Sequence, residues 1–559
     1  MNKNKKVIVY FGIAALAVFL TIFIGISLTS NVGTTSEGNS AEAKLEKIVK
    51  KITVKEKAPV KGQISLVQTE IADLLPDISK FPVTVENTTD TYVEIFGAPE
   101  QTGTGNDGWL NEVAAEFNKS ETKIDGNTAS VKIRYIASGT GTDYIISRAY
   151  TPDAFTFSNR NWAEIIKFNN IGIDLISDSM VDNVAGIVIE NRKNAQLLAK
   201  YGEINVKTVT EAVAAGELAM AYTDPFTSST GLNFLLTALK SFDEANPLSL
   251  TAEEGFLKFQ SNLYFSVAQT TMQLKNAAAN GSIEGLVMEY QTYNKDANIK
   301  AQYTFTPFGI KHDGAMYAMA GISETKRKIL DKFVEFSKQE KYQKLAGEYG
   351  FNQLEYVPEA ELLDGETIAR AQTLWKEKKN ADKSICAVFV ADVSGSMDGE
   401  PIKKLKESLI KGQEVIGEEH YIGLVSYGTT VDINLPLAQF NINQRSLFVG
   451  TVESLQVAGK TATMDGIAVA MSMIQKQLSE NPDMKPIIFL LSDGDSNTGH
   501  SLNSIRSLIE EFSIPIYTIG YNANIDALKE ISNINEADSI NADTDDVVYK
   551  IRNLFNAQM

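Results

Sequence analysis

Short apolar runs alternate with amphipathic stretches over most of this chain. From residue 385 onward the runs ICAVFVA, HYIGLVSYG, KPIIFLLS and IPIYTIG are too short for buried helices and rich in β-branched and aromatic residues. The stretches 403–416, 464–477, 502–512 and 546–555 between them carry helical periodicity. Near-continuous apolar strands joined by helices predict a parallel, doubly wound sheet covered on both faces. A second alternating region spans 83–379. TYVEIFGAPE predicts a strand and turn, and GWLNEVAAEFNK a helix with Leu110, Val113, Ala114 and Phe117 on one face. ASVKIRYIASGTGTDYIISRAY and ELAMAYTDPFTSSTGLNFLLTALK each predict a strand, a hydroxyl-rich turn and a helix, with the strand NVAGIVIEN between them. This region is also α/β.

The start of the chain breaks the pattern. Residues 7–28, VIVYFGIAALAVFLTIFIGISL, are long enough to cross a bilayer as one helix. Lys3, Lys5 and Lys6 precede the run and the next basic residue is Lys44, a bias that keeps the N-terminus cytoplasmic and the bulk of the chain outside. A cleaved signal peptide normally has a shorter apolar region and a small-residue cleavage site; an uncleaved single-pass anchor is expected instead. Residues 30–41 predict a flexible linker and the lysine-rich 41–61 a solvated spacer. The expected division is an anchor at 1–29, a linker and stalk at 30–80, and domains at 81–380 and 382–559.

Composition narrows the function. The net charge of −18 makes nucleic acid a poor partner. One cysteine, Cys386, excludes an intrachain disulfide, and three histidines argue against a Cys/His zinc site. Neither a G-x-S-x-G elbow nor H-E-x-x-H occurs, and no nucleophile has a base signalled beside it, so an enzyme is not expected.

Two hydroxyl-rich turns, 138–141 and 227–231, each open a helix, where free N–H groups and hydroxyls can hold an anion or simply cap the helix. Neither contains an arginine. The order of elements, with PDAFTFSNRNW, DPFTSSTGLNFL, GSIEGLVMEY and the helical KRKILDKFVEFSKQEKYQKLAGEYGF, resembles bacterial extracellular solute-binding proteins of the type II periplasmic-binding fold. That resemblance implies two lobes with a small-molecule ligand between them, and places Ser138, Thr140, Ser158, Ser228, Ser229 and Thr230 at the cleft. Such a domain serves transport or sensing.

The run ICAVFVA leads straight into DVSGSM, with Asp392, Ser394 and Ser396 on alternate positions. Ligands of doubly wound sheets bind beyond the carboxyl ends of the strands. A carboxylate and two hydroxyls there suit a hard, oxygen-seeking cation such as Mg²⁺. With AGKTATMDGI and FLLSDGD, the segment 382–559 resembles the von Willebrand factor A-type domain, whose metal-ion-dependent adhesion site uses this D-x-S-x-S motif. The resemblance implies a Rossmann-like domain in which Asp392, Ser394, Ser396, Thr461 and Asp493 hold Mg²⁺, or Mn²⁺ or Ca²⁺, and an acidic side chain of a partner protein completes the shell. Lys460 stands where that family often has a second glycine. These five residues are expected at exposed strand ends and loops, outside the core.

Overall fold

The computed structural model describes residues 40–559 except 66–68, 264–266, 269–270, 359–360, 495, 522–524, 536, 538 and 543–546. The expected transmembrane run at 7–28 therefore lies outside the described residues. Among those described, no helix is long and apolar enough to cross a membrane.

The C-terminal domain is built on a seven-stranded sheet in the order Val54–Glu56, Val431–Gln439, Tyr421–Tyr427, Ile385–Asp392, Lys485–Ser492, Ile516–Tyr521, Ser539–Ala542. All pairings are parallel except that of Tyr421–Tyr427 with Val431–Gln439. The central strand Ile385–Asp392 is buried along its whole length, as its unbroken apolar run requires. Its side chains divide with period two. Ile385, Ala387 and Phe389 join Leu405, Phe448 and Phe555 from helices Glu400–Gly412, Ile442–Ser454 and Val547–Gln558. Cys386, Val388 and Val390 join Ile467 and Leu508 from helices Thr463–Glu480 and Leu502–Phe512 on the other face.

The middle region has two lobes. One sheet runs Val83–Val85, Asn127–Tyr135, Thr91–Gly97, Ala154–Thr156, Met316–Met319, Ile173–Ser177, with Lys123–Ile124 beside the second strand. The other runs Tyr303–Lys311, Val184–Glu190, Gly285–Glu289, Met220–Ala221. The chain crosses from the first lobe to the second after Ser177 and returns after Lys311, so two connections join the lobes.

The solvated spacer is a correction. Residues 41–61 are not a free stalk. Helix Ala41–Val49 is capped by Ser40 and buries Ala41 and Leu45 in the core shared with Ile467 and Leu508. Ile48, Val49 and Ile52 continue that stripe, leaving Lys44, Lys47, Lys50 and Lys51 outside it. The chain then becomes the edge strand, where Lys57 N donates to Ile433 O at 2.9 Å and Val431 N to Thr53 O at 3.1 Å. Beyond it, Val60 N donates to Thr451 Oγ1, Gly62 N to Ser446 O, and both the backbone N–H and the hydroxyl of Thr69 to the Glu414 carboxylate. The middle domain is thus inserted between an N-terminal helix and strand and the rest of the fold they complete.

The two domains also meet at helix Val547–Gln558. Tyr549 Oη donates to Asp143 Oδ2 at 3.1 Å, on helix Ser138–Ser147 of the first lobe, and Gln558 Nε2 to Val267 O. Burial raises the Asp143 carboxyl to about 7.

If 41–57 belongs to the core, Leu45→Ala removes a buried side chain and costs about 2–4 kcal/mol of C-terminal domain stability. Urea denaturation of the full chain measures this; a free spacer would show no change.

Candidate functional sites

Three loops meet at the carboxyl end of the central strand. Asp392, its last residue, is 0% exposed. Its Oδ1 accepts the Ser394 backbone N–H at 2.8 Å, and its Oδ2 accepts the hydroxyls of Ser492 at 2.7 Å and Tyr427 at 3.2 Å. This corrects the expectation of an exposed ligand set: Asp392 is a core residue whose desolvation is offset by three neutral donors. Ser394 is buried beside it and its hydroxyl lies 3.1 Å from that of Ser396. Ser396 Oγ donates to Asp493 Oδ1 at 3.0 Å. Burial, and next the charge of Asp392, raise the Asp493 carboxyl above the ordinary carboxylate range.

Thr461 is held one step aside. Its N–H donates to Asn497 Oδ1 at 2.9 Å, and its Oγ1 accepts from Asn497 Nδ2 at 3.3 Å. It joins the other four through the backbone, where Gly395 N donates to Gly459 O at 3.1 Å. Gly459 has φ +88°, and a Cβ there would meet Thr429 Oγ1 at 2.6 Å, so the loop needs glycine. Lys460 is exposed. Next to this loop, Asp465 Oδ1 accepts both the N–H and Nδ1 of His500, at 2.9 and 2.6 Å. Sequence reasoning missed Tyr427, Ser492 and Asn497. Ser492 had a visible signal, being a hydroxyl at a strand end next to Asp493.

Between the lobes of the middle domain lies a cavity of about 860 Å³. Ser138, Ser158, Ser228, Ser229 and Thr230 line it. Thr140 does not: its Oγ1 lies 3.4 Å from the Tyr549 hydroxyl, at the C-terminal domain. The reason is helical pitch, since two residues along a helix turn the side chain by roughly 200° from Ser138. Ser228 caps helix Ser229–Phe242 by accepting the Gly231 N–H at 3.2 Å. Ser229 Oγ accepts Trp162 Nε1 at 2.8 Å, and Ser138 Oγ accepts the Ser158 N–H at 3.3 Å. Both capping and a polar cavity wall are therefore present. Sequence reasoning missed Glu100 and Glu289, which also line the cavity, and His312 behind them.

Residues 387–556 match the von Willebrand factor type A domain family model. The chain is 31% identical over 150 residues to inter-alpha-trypsin inhibitor heavy chain H3 of Bos taurus, covering 25% of this chain and 16% of that protein. It is 30% identical over 163 residues to heavy chain H1 of Homo sapiens, covering 26% and 17%. The match thus spans less than a fifth of these relatives. Among solved structures, the von Willebrand factor type A protein from Catenulispora acidiphila aligns with TM-score 0.29 and 17% identity over 31% of this chain and 42% of that one. The sulfate-binding protein SubI from Mycobacterium tuberculosis H37Rv aligns with TM-score 0.34 and 14% identity over 51% and 91%. The C-terminal residues 387–556 thus match the von Willebrand factor type A domain model, and the solved structures that align with the chain include solute-binding proteins.

The burial of Asp392 separates two substitutions that the sequence treats alike. Asp392→Ala strands three donors, each worth about 1–3 kcal/mol when left unsatisfied in the interior, and destabilises the metal-free domain. Asp493→Asn, with one hydroxyl donor and partial exposure, changes stability by less than about 1 kcal/mol. Urea denaturation in chelator, variants beside wild type, measures both.

Proposed function

We propose that this is a membrane-anchored, extracytoplasmic binding protein whose C-terminal domain recognises a partner protein through a Mg²⁺-dependent adhesion site. The observation that carries this reading is the run of oxygens from Asp392 through Ser394 and Ser396 to Asp493, at the carboxyl end of a doubly wound sheet. The donor set fits a hard cation: two carboxylates and neutral hydroxyls, with neither nitrogen nor sulfur. Among the described residues no group of three or more His, Cys, Asp or Glu side chains is placed to hold a metal ion; the proposed set is two carboxylates and three hydroxyls. Asp392, Ser394, Ser396, Thr461 and Asp493 would hold the ion, Mg²⁺ or in its place Mn²⁺ or Ca²⁺. When bound, the ion supplies a Lewis-acidic position for a carboxylate of the partner.

The chain's own residues do the rest. Ser492 and Tyr427 hold Asp392 in one orientation, and Gly459 brings the threonine loop against Gly395. The middle domain contributes a small-molecule cleft, for sensing or as a transport receptor. The anchor at residues 7–28 would hold both domains at the outer face of the membrane. No catalytic role is proposed.

The test is calorimetric titration of the full chain with Mg²⁺ and Mn²⁺, wild type beside Asp493→Asn. The wild type takes up one ion, and the variant binds at least about tenfold more weakly at unchanged unfolding temperature, since a direct anionic ligand is lost. No uptake by the wild type at millimolar metal, or equal uptake by both, overturns the adhesion-site reading.

A further inference from the structure

The cavity between the lobes is lined by three carboxyl side chains, Glu100, Asp107 and Glu289. Among the described residues, Lys275 is the only cationic side chain lining it, and Lys275 is paired with Asp296 at 2.5 Å. What holds the carboxyls is neutral. Asp107 Oδ1 accepts from Gln291 Nε2 at 3.0 Å. Glu289 Oε2 accepts from Asn183 Nδ2, and Oε1 lies 2.8 Å from His312 Nδ1.

The tautomer of His312 follows from its neighbours. Asn159 Oδ1 accepts the Asn161 N–H and Asn233 Oδ1 accepts the Ile310 N–H, so both amide nitrogens face His312 Nε2, at 3.0 Å each. An atom that receives two donors carries no proton. His312 is neutral, and its Nδ1–H donates to Glu289. Burial acts in the same direction, lowering the imidazole to about 4. Glu289 is therefore surrounded by donors, the geometry of an ionised carboxylate, with no positive side chain paired to it among the described residues. Glu100 Oε1 is buried without a partner.

Burial sets the opposite demand. It raises Glu100 and Glu289 to about 8, with the charge of Glu289 adding to the shift of Glu100 and that of Asp107 to the shift of Glu289. The donors favour the anion, while the low-dielectric wall and the neighbouring acids oppose it. A positive ligand between these carboxyls satisfies both, because it supplies the missing countercharge. Ser138, Ser228 and Ser229 accept from the protein, which leaves their O–H protons as donors to a ligand oxygen, but neither turn carries a lysine or arginine to balance an anion. The cavity volume of about 860 Å³ is that of a pocket for an organic molecule.

We propose that the interlobe cleft binds a small organic cation, whose ammonium groups sit between Glu100, Asp107 and Glu289, and that it discriminates against inorganic and organic anions. The inference rests on the cleft being a ligand site and is independent of the metal loops. Cation binding ionises carboxyls that are in part protonated in the free protein, so protons leave as the amine enters. Affinity rises with pH between about 6 and 8.5, because the raised acids lose their protons across that window while an alkylammonium keeps its own. The other titratable groups acting on them are Lys275, Tyr135 and His312; His312 is neutral throughout the window.

The test is calorimetric titration of the full chain, with chelator present to silence the metal loops, using 1,4-diaminobutane, ethylamine, sodium sulfate, sodium succinate and glucose as probes. The expected result is that an amine probe binds and releases protons, read from the dependence of the heat on buffer ionisation enthalpy. Sulfate, succinate and glucose give no binding heat. Glu100→Gln and Glu289→Gln, which keep side-chain shape, each weaken amine binding by about tenfold or more, and the unfolding temperature reports that the variants are folded. Should one variant fail to fold, the other and the proton count still decide. Failure of both amines to bind at millimolar levels, tighter binding of sulfate or succinate, or amine binding without proton release overturns the proposal.

Discussion

The end of the central strand places a carboxylate where the chain can least tolerate one. Asp392 closes a strand buried on both faces and packed between two parallel neighbours. A charge in that position needs donors from elements that are far apart in sequence, and these come from the ends of the flanking strands, at Tyr427 and Ser492. Satisfying Asp392 therefore fixes how three strand ends line up. The loops that carry Ser394, Ser396 and Asp493 leave from those aligned ends, so the site is as rigid as the sheet beneath it. The site's precision comes from the core, and this is why its first carboxylate cannot be treated as a surface ligand.

The middle domain repeats the same physics with a different balance. Glu289 also terminates a buried strand, Gly285–Glu289, and is also held by neutral donors. At Asp392 the donors are a backbone N–H and two hydroxyls. At Glu289 they are an imidazole and an amide, with Asp107 close enough to oppose ionisation. One arrangement settles a carboxylate in the interior; the other leaves the region short of positive charge. The two clefts also share structural supports, because the helix that opens beside the interlobe cavity at Ser138 carries Asp143, which receives the Tyr549 hydroxyl of the C-terminal domain.

Much of the α/β layout was legible because long apolar runs leave few alternatives. The strands at 385–392 and 485–492 announce themselves, and the alternate placement of Asp392, Ser394 and Ser396 marks the loop. Helix Ala41–Val49 was hidden by composition: Ala41, Leu45, Ile48 and Val49 form a narrow stripe diluted by lysines, and only tertiary packing shows that the stripe has a partner. Thr140 was misplaced because a turn was read as one surface, whereas a helix had already begun at Ser138 and rotated it away. Tyr427 and Asn497 carry no local signal, since their roles exist only through contacts made across the fold. Glu100 and Glu289 did offer one, a carboxyl at the edge of an apolar run, the same sign that singled out Asp392.

The inserted middle domain has a consequence for how the chain is made. The helix at 41–49 and the strand at 54–56 leave the ribosome long before their partners, Val431–Gln439 and Thr463–Glu480, exist. Throughout synthesis of the middle domain, an apolar stripe and a strand edge stay uncovered. The entropy of closing a loop grows only logarithmically with its length, so an insert of this size adds only a modest cost to pairing the earliest segment with the last. The middle domain is thus also a spacer within the domain it interrupts. A defect in its folding would be felt as an unfinished sheet edge in a domain it does not belong to.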